Sequence, residues 1–311
     1  MERVYEMGMG RGRVVPNALR SVALGGSRYR DYEVTGDEID YAIEIEAIRE
    51  QYINATAEET RAMMDRLREL GITANPLEAI SDLSPETIAV LESVSSIHEL
   101  QMKVMETLMK DPSSPASSEL GNMTTPQLQQ RWQDVQQAKG FDPSTLDTPA
   151  HKLLVGVTLQ LTEAAVAAMP SFNAVSRLAA EGPSGRVLGT YHFGTQQITL
   201  HGNPEPDRQD FMWGVFSHHT HLGVAVHEFG HALESHLRKT RGSVMDTFEA
   251  RTSNTKALSD YGNTNATEAF AESFSAFATG LPRTNEYHRA FENLMSEVGL
   301  SSLRNVIKGA P

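Results

Sequence analysis

The chain lacks cysteine entirely. Disulfides, thiolate nucleophiles and cysteine-ligated zinc fingers are therefore excluded, and any bound metal must be held by His, Asp or Glu side chains. No uncharged apolar run is long enough to span a bilayer, and no apolar h-region follows the charges at the N-terminus. The sequence thus predicts neither a membrane span nor a Sec signal peptide.

Positive charge is scarce relative to negative charge. The 311 residues include 27 Lys and Arg against 40 Asp and Glu, which gives a net charge of -13. Nucleic-acid binding needs a concentrated positive field, so we expect no nucleic-acid partner. An acidic balance attracts a positively charged substrate or partner, or it is simply a well-solvated surface.

Motifs for two large enzyme classes are also missing. The chain has no G-x-S-x-G elbow, no P-loop, and no G-x-G-x-x-G that follows a strand. Serine hydrolysis and nucleotide chemistry therefore lack support.

Composition and periodicity divide the chain into three predicted parts. Residues 1–34 are a Gly- and Arg-rich arm that contacts a partner or folds back on the acidic body. Residues 35–115 form a small helical module, with a capping box at Thr35, a helix over 56–71, and a long helix that begins at Ser84 and runs to about residue 110. A Ser- and Pro-rich stretch, 111–125, separates this module from a domain over 116–311.

The third part is predicted to be mainly helical with one β segment, an α+β arrangement. Capped helices end at Gly140 and before Pro170, and the second of them is apolar enough to be buried. Between residues 184 and 202, β-branched and aromatic residues punctuated by glycine predict a short hairpin or two strands, the only convincing β segment in the sequence.

One short stretch, "HEFGHALE", carries the chemistry. On a helix, His227 and His231 lie about 40° apart and Glu228 about 100° from the first histidine, so the two imidazoles can bind one ion while the glutamate polarises a water. A five-residue motif can also match by chance, so a metal site requires a third ligand elsewhere in the chain. A metzincin ligand set is excluded because Glu234 and Leu237 occupy the positions that it needs for Gly and His.

A candidate third ligand lies downstream in "SDYGNTNATEAFAESFSAF". Helical angles place Glu272 and Ser275 within about 40° of Glu268 on one face, while phenylalanines cluster on the other. Glu268 follows His231 by 37 residues, enough for a returning helix to lie against the first. This spacing is typical of a gluzincin, a zinc peptidase whose third metal ligand is a glutamate on a second helix.

"HEFGHALE" followed by "YGNTNATEAFAESF" resembles the catalytic domain of the anthrax toxin lethal factor-like zinc metallopeptidases. The resemblance implies a zincin-type fold with one catalytic Zn²⁺ and assigns roles to six residues. Its implied zinc ligands are His227, His231 and Glu268; the general base is Glu228; Tyr261 hydrogen-bonds the tetrahedral intermediate or protonates the leaving group; and Glu272 orients a ligand histidine. Ala269 departs from the family pattern, where phenylalanine is frequent.

Other residues near the motif allow more than one interpretation. By analogy with zincins, the strand with Tyr191, His192 and Phe193 pairs with an extended substrate, although a purely structural hairpin is equally compatible with the sequence. Three histidines before the motif line the cleft, form a second weak metal site or, as we favour, belong to a polar loop: His218, His219 and His221. His236 is expected at the surface, and Asn265 is expected to cap the Glu268 helix.

The sequence therefore predicts a zinc-dependent endopeptidase that acts on a protein or peptide, with partner docking through residues 1–115. A catalytically inactive protease-like scaffold with a binding role is the alternative. Without a Sec signal, we expect a cytoplasmic protein or one released by another route, as an effector, a toxin or a virion-associated protein.

Overall fold

The computed structural model describes residues 35–185, 187–202, 210–211 and 214–308. Within these ranges the chain is α+β and mainly helical, with eleven α-helices and one three-stranded sheet. Contacts divide it into two compact units, one made of residues 73–144 and one made of the described residues on either side. The predicted arm, 1–34, lies outside the described residues.

The smaller unit is a cluster of four helices. Its core contains Leu91, Leu100, Leu120 and Val135, all almost fully buried. The helices are α3 (Pro85–Glu92), α4 (Ile97–Lys110), α5 (Pro115–Gly121) and α6 (Thr125–Ala138).

The predicted long helix from Ser84 is interrupted in this unit. It ends at Glu92 and restarts at Ile97, because Ser96 adopts an extended conformation and its side chain accepts the N–H of Glu99, which caps a new helix. Three methionines of α4 are exposed: Met102, Met105 and Met109.

The larger unit begins with two helices that the sequence analysis assigned to the helical module. These are α1 (Gly36–Ile53) and α2 (Ala57–Glu69), and each starts with a capping box. Both pack on α7 (Pro149–Ala168). The compact units therefore differ from the predicted 35–115 and 116–311 division, because the apolar faces of α1 and α2 are buried against a helix that lies about a hundred residues later in the chain.

The sheet has the strand order β1-β3-β2, so β2 lies at an edge. The strands are β1 (Arg177–Glu181), β2 (Gly189–His192) and β3 (Gln197–His201). β2 and β3 form the predicted antiparallel hairpin, and β1 pairs with β3 in parallel. β1 was not predicted, because its sequence "RLAAE" carries neither alternation nor β-branched residues.

Two crossing helices form the centre of the larger unit, α8 (His221–Thr240) and α10 (Ala266–Thr279). A Cβ added at Gly230 of α8 would lie 3.0 Å from the Cα of Ala271, so glycine allows the two backbones to approach closely. α9 (Gly242–Thr252) and α11 (Glu286–Glu297) complete this part. Among the described residues, no helix is both long and apolar enough to cross a membrane.

Candidate metal centre

Helix α8 holds both histidines of the motif in the interior. Its N-cap, Thr220, accepts the N–H of Gly223, and the helix is buried without interruption from Leu222 to Leu237. His227 and His231 are 3% and 8% exposed, and their ring centroids lie 4.8 Å apart. Buried imidazoles need polar partners, and the two rings share theirs.

That partner is Glu268 on α10. Asn265 caps α10 as predicted, because its Oδ1 accepts the N–H of Glu268 at 2.9 Å and fixes the first turn. The Glu268 Oε2 atom lies 2.9 Å from His227 Nε2 and 3.4 Å from His231 Nε2. The structure thus brings together all three residues that the sequence analysis selected as metal ligands.

The donor set fits a tetrahedral zinc site. Its three candidate ligand atoms lie within 4.8 Å of one another. Ligands about 2.0–2.1 Å from a tetrahedral ion are separated by roughly 3.3 Å, close to the 2.9 and 3.4 Å observed here. Two imidazoles and one carboxylate are also a ligand set that zinc hydrolases use, with a fourth position for water.

Two of the candidate ligands, His227 and Glu268, have strongly shifted pKa values. Burial alone would lower the pKa of His227, but its hydrogen bonds to Glu268 and Glu272 outweigh burial and raise that pKa to about 10. Burial would raise the pKa of Glu268, yet its bonds to the two histidines lower it to about 2. A proton on His227 therefore balances the carboxylates when no cation does.

Glu272 lies behind His227, on the opposite side of the ring from Glu268. It is completely buried, and its Oε1 accepts His227 Nδ1–H at 3.0 Å. Its Oε2 accepts the backbone N–H of Ser217 at 2.6 Å and the hydroxyl of Ser259 at 2.5 Å. Burial opposes ionisation, but the charges of His218 and His227 hold the pKa of Glu272 well below its usual range. The carboxylate is thus fixed in an orientation that fixes the His227 ring.

The two histidines just before α8 are buried, whereas the favoured interpretation placed them in a polar loop. His218 is 5% and His219 1% exposed, and His218 Nδ1 lies 3.3 Å from Glu272 Oε1. His218, His227 and Glu272 thus form a second group with possible ligand spacing. His236, expected at the surface, is buried with its ring 5.3 Å from Phe172.

Glu228 lies beside the ligand set and outside it. The side chain is 6% exposed, and burial raises its pKa, opposed by the histidine charges and the backbone N–H of Tyr191. The carbonyl of Leu188 faces β3, where it accepts the N–H of His201. Alternation along the strand turns the N–H of Tyr191 to the free edge of β2, toward Glu228.

The close approach of β2 to Glu228 depends on Gly189. A Cβ at this position would lie 2.9 Å from Glu228 Oε1 and 2.7 Å from Val224 Cγ1. Only glycine leaves room for the carboxylate at its present position.

Tyr261 lies at the open side of the centre. Its ring centroid is 5.8 Å from that of His227, and the residue is 38% exposed. Its backbone N–H bonds the carbonyl of Val215. Burial and the nearby carboxylates, chiefly Glu268, raise the pKa of Tyr261 to about 12, so at neutral pH the hydroxyl keeps its proton and can donate it to a hydrogen bond.

The three candidate substrate-strand residues point in different directions. The Tyr191 side chain is buried and its hydroxyl donates to the carbonyl of Ala174 at 2.7 Å. His192 and Phe193 are exposed, and His192 Nδ1 accepts the N–H of Thr195. Only the last two side chains are therefore open to a ligand.

Sequence reasoning missed three residues that shape this centre, namely Gly189, Ser217 and Ser259. Each acts through a contact with a residue far along the chain, and no local pattern marks it. Ser259 offers one weak signal, since it stands at the start of the quoted stretch that contains Tyr261.

No protein-family model, curated protein or solved structure matches this chain.

Proposed function

We propose that this chain is a zinc-dependent endopeptidase of the zincin type. The observation that carries the proposal is the convergence of His227, His231 and Glu268 on one point, with Glu228 beside them and free of the ligand set. The resemblance to lethal factor-like metallopeptidases assigns the same roles to the same residues.

A zinc ion held by His227, His231 and Glu268 would supply Lewis acidity, which would lower the pKa of a water toward about 7 and polarise a carbonyl. Glu228 accepts the proton as the water attacks the scissile carbonyl, and later returns it to the leaving amine. Burial raises the pKa of Glu228, which makes its carboxylate a stronger base. That shift suits a group that must both accept and release a proton.

Tyr261 is the candidate donor to the developing oxyanion. Its hydroxyl stays protonated because its pKa lies at about 12, and its partial exposure places it where a substrate can reach it. A preorganised donor of this kind stabilises the transition state more than the ground state.

The free edge of β2 is the candidate platform for the substrate backbone. β2 lies at the edge of the sheet, and on the side away from β3 the backbone N–H of Tyr191 bonds the carboxylate of Glu228. An extended peptide that adds to this edge would pass the catalytic residues and lie beside the exposed Phe193 and His192.

Cleavage of a diverse peptide library, read by mass spectrometry, tests the proposal. Zinc-loaded wild type is compared with Glu228→Gln, which keeps the shape and the ligands but removes the base. We expect cuts in the wild type, a loss of about 10²–10⁴-fold in the variant, and equal zinc content in both. Equal activity in the two proteins would overturn the role of Glu228, and silence of both with zinc bound would favour the protease-like scaffold.

A further inference from the structure

A cavity of about 350 Å³ lies between α8, α9, α10 and the start of α11. Its inner wall is apolar and buried, and includes Met245, Phe248, Ala269 and Phe270. Exposed polar residues stand at its mouth, among them Ser253, Asn263 and Asn265. The size and the mixture of aromatic walls with a few polar groups are typical of a ligand pocket.

This pocket begins beside the metal centre on two helices. On α8, Glu234 follows His231 by three residues, which is about 4.5 Å along the axis and about 60° around it. On α10, Asn265 and Ala269 lie on either side of Glu268 in the sequence and line the pocket. One extended residue spans about 3.3–3.6 Å, so the pocket is within reach of a side chain one or two positions from a bond held at the metal.

The polar wall of the pocket holds two carboxylates and, among the lining residues that the structure describes, one cation. Glu234, only 2% exposed, and Glu249 flank this cation, Arg238. Burial raises the pKa of Glu234 and the Arg238 guanidinium opposes that rise; with both carboxylates ionised, the wall has one net negative charge. The hydrogen bonds from Arg238 engage the Oε1 atom of each carboxylate. The Oε2 atoms therefore retain acceptor capacity for a donor that enters the pocket.

We propose that the pocket binds a lysine or arginine side chain of the peptide substrate. The methylene stem would pack on Phe248 and Phe270, and the charged end would meet Glu234 and Glu249, which matches the amphipathic build of long basic side chains. The net charge of the chain, -13, favours the approach of basic peptides. This inference rests on the proposed endopeptidase function.

Two substitutions alter the pocket in different ways. Ala269→Phe fills it with a ring, and Glu249→Gln removes its net negative charge at a partly exposed position. Glu297→Gln, an exposed carboxylate at the end of α11, makes the same change of charge elsewhere and serves as the control. Zinc content and thermal unfolding verify that each variant is folded.

The test uses peptides that contain a wild-type cleavage site and carry lysine, its neutral isostere norleucine or glutamate at each position within two residues of the cut. At one position we expect wild type and Glu297→Gln to favour lysine over norleucine about tenfold or more in kcat/KM, a discrimination in the usual range for one pocket contact. Glu249→Gln should reduce that ratio toward one, and Ala269→Phe should exclude both long side chains at this position.

Cleavage with no preference for lysine at any position, unchanged by both variants, would overturn the pocket and leave the endopeptidase standing. If no peptide is cut, calorimetry with zinc-loaded Glu228→Gln measures binding of the lysine and norleucine forms of a fixed peptide. Binding that favours lysine and disappears in Glu228→Gln/Ala269→Phe would support the pocket without the peptidase. Equal binding of the two forms would overturn it.

Discussion

Two carboxylates on one helix face contact the same imidazole and differ in almost everything else. Glu268 and Glu272 lie four residues apart on α10 and approach His227 from its two ring nitrogens, at 2.9 and 3.0 Å. The Glu268 side chain is 19% exposed and contacts the two histidines. The Glu272 side chain is fully buried, and protein donors bond both of its oxygens.

The two residues are of the same type, so the number of protein hydrogen bonds to each carboxylate decides which of them can bind a metal. Glu272 has a backbone N–H, a hydroxyl and an imidazole N–H committed to it, so a metal would have to displace several bonds in a closed interior. Glu268 is bonded to His227 and His231, which must lose a proton when a metal binds, and to the partly exposed Tyr261. We therefore propose Glu268 as the metal ligand and Glu272 as the carboxylate that orients His227.

The largest effect should follow from Glu268→Gln. A neutral amide removes one charged ligand and leaves two imidazoles, so we expect loss of stoichiometric zinc after dialysis and, with it, loss of peptide cleavage. Metal analysis of the dialysed protein is the measurement. Zinc retained at the wild-type ratio would break the comparison, because Glu268 would then be no ligand.

Glu272→Gln should weaken zinc binding without abolishing it. Removal of a carboxylate that orients a ligand histidine typically costs about 10–100-fold in metal affinity. Competition with a chromophoric chelator gives the dissociation constants of wild type and variant. A loss as complete as that of Glu268→Gln would mean that the buried group His218, His227 and Glu272 holds the metal instead.

Zinc binding should release the proton that His227 carries between Glu268 and Glu272. His227 has a pKa of about 10 without metal, above its ordinary 6.5. Its protonation therefore stabilises the metal-free fold fully below about pH 6.5, and that contribution is lost as the pH rises toward about 10. Because zinc needs the neutral imidazole, binding at pH 7 should release about one proton and strengthen about tenfold per pH unit.

Calorimetry in two buffers of different ionisation enthalpy measures this release between pH 6 and 8. Glu272→Gln should release a smaller fraction of a proton, since one of the groups that raise the His227 pKa is gone. No proton release from the wild type at pH 7 would contradict a protonated His227.

The sequence was sufficient for those features that depend on neighbours in the chain. The capping box of α1, the Asn265 cap and the spacing of the two motif histidines follow from three- and four-residue periodicities. The hairpin of β2 and β3 was also predictable, because a short connection joins its strands.

The remaining features depend on contacts that no local pattern encodes. Packing of α1 and α2 on α7 joins segments about a hundred residues apart, and β1 pairs with β3 without a β-rich sequence of its own. The pocket beside the metal centre arises because small residues on three segments, among them Ala257, Gly262 and Ala269, meet opposite Phe248. Such a meeting is a property of the fold.

Ser259→Ala should give the smallest effect of these substitutions. It tests the hydrogen bonds that hold the buried carboxylate, Glu272. The Ser259 hydroxyl donates to Glu272 and its oxygen accepts the N–H of Gly262, and a lost hydrogen bond to a buried charge costs about 1.5–3 kcal/mol of unfolding free energy. Because the Ser217 N–H still holds the carboxylate, zinc affinity should fall only a few-fold, less than for Glu272→Gln. Urea unfolding and chelator competition measure the two quantities, with the exposed Ser253→Ala as control. A fall in zinc affinity as large as that of Glu272→Gln would show that the hydroxyl, rather than the network as a whole, orients Glu272.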